Sequence, residues 1–83
     1  MMPNPTDKPQ KKRRKTASLA QGRRITTARK VAGISMETLA GRIGVSRQYI
    51  GQLELGIRDG SIPTLRAIAR ALGVSLASLL GES

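Results

Sequence analysis

The sequence predicts an all-α fold of five helices, and three observations predict it. Apolar residues recur at helical spacing: Leu65, Ile68, Ala69 and Leu72 occupy the i, i+3, i+4 and i+7 positions of one face. Serines stand before such runs (Ser35, Ser46, Ser75) and glycines after them (Gly33, Gly44, Gly73), the residue types that start and stop helices. At 83 residues the chain is one small domain at most.

The elements follow in order. Residues 1–17, MMPNPTDKPQKKRRKTA, are rich in Pro, Lys and Arg and carry no buried-face pattern, which predicts a disordered basic tail. The first helix is expected from Ser18 or Leu19 to Ala32. Leu19, Ile25, Ala28 and one of Val31 or Ala32 form its core stripe, Gly22 leaves its start loosely defined, and Gly33 stops it. Ser35 caps a second helix from Met36, with Glu37 near its positive end. Leu39, Ala40 and Ile43 point inward, and Gly44 ends it where a left-handed residue costs least. Val45 plugs the corner, Ser46 caps the third helix, and Ile50 and Leu53 return to the core. Gly41 and Gly51 sit inside helices, at a cost of roughly 1 kcal/mol each relative to Ala. Residues 56–61 form a loop. Pro63 opens a fourth helix to Leu72, where its missing N–H is not needed. Gly73 ends it, and Ser75 caps a short fifth helix to about Leu80.

Composition excludes much. There is no cysteine and no histidine, so no disulfide, no Cys/His zinc site and no His general base. The five carboxylates, Asp7, Glu37, Glu54, Asp59 and Glu82, are scattered and make no paired acid/base site; no enzyme, metal or cofactor is expected. Tyr49 is the one aromatic residue, too little for stacked single-strand binding. No apolar stretch reaches the roughly 18 residues of a membrane span, and the basic N-terminus lacks an apolar signal core. The formal charge is +10: residues 1–24 hold eight Lys/Arg against one acid, a balance of +7, and residues 25–83 hold seven against four, +3. Such a chain associates with polyanions, nucleic acid first, which places it in the cytoplasm at the nucleoid.

The second and third helices, pinned by a tight Gly-containing turn, make a helix-turn-helix, a motif whose second helix enters the DNA major groove. Ala40 is small where a larger side chain would push that helix away. Around the motif stand Ile25, Arg29, Gly33-Ile34-Ser35, Leu39-Ala40, Gly44-Val45-Ser46, Ile50, Leu53-Glu54, Gly56, Arg58, Thr64-Leu65, Ile68-Ala69, Ala71-Leu72-Gly73-Val74 and Leu80. In these residues the chain resembles the Cro/cI-type (Xre) helix-turn-helix family over residues 22–81. The resemblance implies a five-helix lambda-repressor-like domain, residues 18–83, and a sequence-specific regulator of transcription.

Base contacts are expected from Arg47, Gln48, Tyr49 and Gln52 on the third helix. Arg donates in pairs to guanine O6 and N7, and Gln pairs with adenine N6 and N7. Tyr49 has two readings, a base or phosphate contact and partial packing on the domain. Phosphate contacts are expected from Arg58, Arg42 and Ser46, and from Lys11, Lys12, Arg13, Arg14 and Lys15 of the tail, which also reads as a solubilising segment. Many family members carry Gln at Met36, where the amide bonds a phosphate, and a polar or basic residue at Leu55 and Ile57; these departures weaken the domain's own phosphate grip. The resemblance also implies that Arg29 pairs with Glu54 as a structural ion pair.

A homodimer on a palindromic double-stranded operator is expected, because one small module contacts few base pairs. Leu76, Leu79 and Leu80 are its candidate two-fold patch, although the same leucines also suit the monomer core. Two other readings stand beside a repressor or autoregulator. One is an antitoxin whose tail folds on a toxin partner, and residues 3–17 offer almost no apolar anchors for that. The other is an architectural protein that coats DNA without sequence preference.

Deleting residues 1–17 removes six basic residues. It should leave thermal unfolding nearly unchanged and weaken DNA binding at low salt. The slope of log K against log salt should flatten by about 0.9 for each phosphate that the tail neutralises. An unchanged slope would make the run a solubilising tail alone.

Overall fold

The computed structural model describes the backbone of residues 7–81 and the side chains of residues 19–81. Five helices follow in order: α1 (Asp7–Val31), α2 (Met36–Ile43), α3 (Arg47–Glu54), α4 (Ile62–Leu72) and α5 (Leu76–Leu80). No strand occurs among the described residues.

α1 begins well before the Ser18 or Leu19 expected of it. Lys, Arg and Gln lose little rotamer freedom in a helix, and Pro9 falls in the first turn, where no N–H is needed. The expectations for the basic segment concern its disorder, its phosphate contacts through Lys11, Lys12, Arg13, Arg14 and Lys15, and its binding to a toxin. They fall on residues 1–17, whose side chains lie outside the described residues.

The later boundaries follow from short-range chemistry. The Oγ atoms of Ser35, Ser46, Ser61 and Ser75 each accept the backbone N–H three residues on, so α2 to α5 all start on a serine cap. Ser61, expected in the loop, is the cap of α4, and Pro63 is in its first turn. The corner between α2 and α3 turns at Gly44, whose φ of 76° and ψ of 34° are left-handed. The Gly44 and Val45 N–H groups both donate to the Ala40 carbonyl, which closes α2 and aims α3.

One aliphatic core joins all five helices: Ile25 from α1, Leu39 and Ala40 from α2, Ile50 and Leu53 from α3, Leu65, Ile68, Ala69 and Leu72 from α4, and Leu79 from α5. α3 packs between α2 and α1, while α4 lies against α2, α1 and α5. Both Val31 and Ala32 are exposed, a correction to the stripe expected of α1. By then the helix has passed its last neighbour and turns at Gly33. Leu19 is also more exposed than expected of a core residue.

Gly22 is the tightest crossing. A methyl there would run into the backbone carbonyls of Leu53 and Glu54, so α1 lies backbone to backbone on the end of α3. One turn earlier, the backbone of Leu19 sits over Gly56, which has a φ of 76°. Gly41, by contrast, has open space where a methyl would point.

The two glycines therefore predict opposite signs for one substitution. Gly41→Ala should stabilise the domain by about 1 kcal/mol, the ordinary gain from removing a helix-interior glycine. Gly22→Ala should destabilise it by about 1–3 kcal/mol, because overpacking against backbone outweighs that gain. Urea midpoints at unchanged m-value measure both.

Candidate nucleic-acid interface

The interface is built on an ion pair. Arg29, on α1, and Glu54, the last residue of α3, are 9% and 7% exposed. Arg29 Nε donates to Glu54 Oε2 at 2.7 Å and Nη2 to Oε1 at 3.2 Å, a two-pronged pairing. Nη1 donates to the Ile34 carbonyl at 2.9 Å, tying the loop before α2 into the same knot. The Thr26 hydroxyl lies 2.9 Å from Glu54 Oε1 and 3.0 Å from the Gly22 carbonyl, and donates to one of them at a time. Hydrogen bonding to Glu54, aided by its charge and opposed by burial, raises the pKa of Arg29 further above its ordinary value. No buried side-chain nitrogen or oxygen among the described residues lacks a partner.

With its C-terminal end held by Glu54 and its N-terminal end by the Ser46 cap, α3 turns Ile50 and Leu53 inward and leaves polar residues outside. Arg47 and Gln48 are exposed, and Tyr49 and Gln52 are half-buried. Ser46, Gln48, Tyr49 and Gln52 line a shallow concavity of about 320 Å³ together with Arg58, from the loop after α3. Arg58 Nε donates to Gln52 Oε1 at 2.9 Å, and the guanidinium carbon lies 5.6 Å from the centre of the Tyr49 ring.

The fold thus brings Ser46, Gln48, Tyr49, Gln52 and Arg58 together, with Arg47 beside them on the first residue of α3. It sends Arg42 elsewhere. Arg42 stands at the end of α2 opposite Met36, and its Nη1 donates to the Ala71 carbonyl at 3.2 Å. It meets the negative end of α4 there and remains exposed. Leu79, expected at a two-fold patch, is 1% exposed in the core of its own chain, and Leu76 and Leu80 are half-buried against that core. The fifth helix is too short to offer two apolar faces. Thr26 was missed by sequence reasoning. Its spacing with Gly22 and Arg29, i, i+4, i+7, places all three on the face toward α3. Among the described residues, no cluster of His, Cys, Asp or Glu could hold a metal ion, and no helix is long and apolar enough to cross a membrane.

Such a fold, with an exposed polar second helix on a helix-turn-helix, defines a class of DNA-binding domain. Residues 25–79 match the helix-turn-helix family model HTH_3, and the chain belongs to that Cro/cI-type (Xre) family, one of DNA-binding transcriptional regulators and not of enzymes. The immunity repressor protein of Bacillus phage phi105 is 34% identical over 61 residues, 74% of this chain and 42% of that protein. An uncharacterised helix-turn-helix transcriptional regulator of Mycobacterium tuberculosis is 47% identical over 51 residues, 61% of this chain and 36% of that protein. The chain therefore spans well under half the length of these two relatives. Among solved structures, the restriction-modification controller protein C.AhdI from Aeromonas hydrophila superposes with a TM-score of 0.75 at 32% identity, covering 78% of this chain and 94% of that one. The biofilm-formation master regulator SinR, solved in complex with DNA, superposes with a TM-score of 0.69 at 34% identity, covering 72% and 97%.

Removing one partner of the ion pair should be costly. Glu54→Ala leaves a buried guanidinium uncompensated and should destabilise the domain by about 3 kcal/mol or more in urea unfolding. A double-mutant cycle with Arg29→Ala should show strong coupling. Additive losses below about 1 kcal/mol would mean that the pair behaves as a surface pair.

Proposed function

We propose that this domain is a sequence-specific, double-stranded-DNA-binding regulator of transcription, a repressor or autoregulator, acting as a homodimer on a palindromic operator in the cytoplasm, at the nucleoid. The observation that carries the reading is the convergence of Arg47, Gln48, Tyr49 and Gln52 on the outer face of a helix held at both ends. α3 lies in the major groove. Arg47 donates its fork to guanine O6 and N7, and Gln48 meets adenine N6 and N7. The Ser46 oxygen accepts the Tyr49 N–H, which leaves the hydroxyl proton to donate to a phosphate. The basic N-terminal segment adds sequence-independent affinity.

The immunity-repressor name of one relative and the DNA-bound state of SinR support this reading. The homodimer follows from affinity, since a lone module reads too few base pairs. Leu55, 67% exposed, and Ile57, 70% exposed, with Ile62 nearby in sequence, offer apolar surface on which a second copy can seat.

Selection from a randomised DNA library should yield two half-sites related by a dyad, about one helical turn apart. Arg47→Ala and Gln48→Ala should each cost about 1–3 kcal/mol on the selected operator and far less on random DNA, each relaxing the preference at one base pair. A selected half-site unchanged by both substitutions would remove α3 as the reading element, and a specificity ratio near unity would favour an architectural role.

A further inference from the structure

The basic residue in the loop after α3 is engaged before any DNA arrives. The Arg58 backbone N–H reaches the Gln52 carbonyl at 3.3 Å, and that of Ile57 reaches the same carbonyl at 3.0 Å. The side chain then returns to the same residue: Nε donates to Gln52 Oε1 at 2.9 Å. A guanidinium has no acceptor, so the atom it meets on the carboxamide is the oxygen, and the free end of the carboxamide is its NH2 group. The guanidinium is held from a second side by the Tyr49 ring, 5.6 Å from its carbon. The Tyr49 ring is in turn half-buried and packed against the core.

We infer that Arg58 is a positioning residue for base recognition: it holds the Gln52 carboxamide by its oxygen, so that the pair presents N–H donors and selects guanine. The inference rests on α3 being the reading helix. The chemistry of the base edges separates the choices. Adenine offers one acceptor, N7, and one donor, the N6 amino group, and a glutamine satisfies both only when its oxygen accepts from N6. In this protein one lone pair of that oxygen already takes the Arg58 Nε–H, and the Arg58 Nη donors beside it would face the adenine N6 donor and find no acceptor there. Guanine offers two acceptors, N7 and O6, which suit the Gln52 NH2 group and the Arg58 Nη donors together. Thymine offers a single acceptor beside a methyl group and satisfies fewer of these donors. Because the arrangement exists in the free protein, little side-chain ordering is left to oppose binding.

The test is randomised-library selection with the full chain and four variants: Gln52→Ala, Arg58→Ala, Arg58→Lys and the Gln52→Ala/Arg58→Ala double variant. Gln52→Ala identifies the base-pair position that Gln52 reads, which should be guanine in the wild type. Arg58→Ala should lower discrimination at that position alone by about tenfold, with the remaining preference shifting toward adenine as the oxygen is freed. Arg58→Lys keeps the charge but lacks the planar fork, and should show the same loss. The double variant should lose no more discrimination there than Gln52→Ala. Arg58 is exposed, so the urea midpoints of its two variants should match the wild type. Uniform weakening of all sequences by Arg58→Ala, with a salt slope shallower by about one unit and base preferences intact, would make Arg58 a phosphate contact and overturn the inference. Restoration of the wild-type preference by Arg58→Lys would overturn it too, as would adenine or thymine at the Gln52 position of the wild type. If those results come while Arg47→Ala and Gln48→Ala still relax their own positions, the inference alone falls. If no substitution on α3 changes the selected site, the reading of α3 falls with it.

Discussion

A carboxylate and a guanidinium taken almost wholly out of water are expensive to bury, and their mutual attraction offsets that cost only when geometry and hydrogen bonding are good. Arg29 and Glu54 meet that condition. Glu54 accepts both prongs of the guanidinium with the Thr26 hydroxyl close by, and Arg29 Nη1 donates to the Ile34 carbonyl. Arg29 is held more firmly protonated by its hydrogen bonds to Glu54. Three pieces of chain meet there: the middle of α1, the loop leading into α2 and the end of α3. The registry of α3 against the rest of the domain depends on that meeting, reinforced two turns earlier on α1 by the backbone crossing at Gly22.

α3 needs such support. It has eight residues with a glycine in its interior, well below the length at which a helix persists alone in water. Its order comes from Ile50 and Leu53 in the core, a serine cap at one end and an ion pair at the other. Stability supplied from the inner face and the ends leaves the outer face free to carry residues chosen for what they touch. The same separation suits the departures from the family pattern: Met36 cannot donate to a phosphate, so grip must come from other donors.

Most of the fold was legible because its signals are local. Serine caps, glycine stops and a 3.6-residue apolar period need only a few neighbouring residues to act, and they placed α2, α3 and α5 within a residue or two. What the sequence concealed depends on distance through the fold. Gly22 read as a weak point in a helix because periodicity does not encode a backbone crossing 31 residues away. Thr26 drew no notice because its partner carboxylate stands at position 54. Arg58 and Arg42 both read as exposed cations, in that order of promise; only the three-dimensional arrangement sends one onto Gln52 and Tyr49 and the other to the end of α4. Leu79 fitted core and interface equally well, because a single apolar stripe carries no mark of what covers it.

The aliphatic composition of the core has an optical consequence. The chain has no tryptophan and no phenylalanine, and Tyr49, its one chromophore of the aromatic type, stands under the Arg58 guanidinium in the concavity of α3. Ultraviolet absorbance and intrinsic emission therefore come from one ring beside the polar face, with no background from the hydrophobic interior. The molecule carries its own single-site reporter, placed in the concavity of α3.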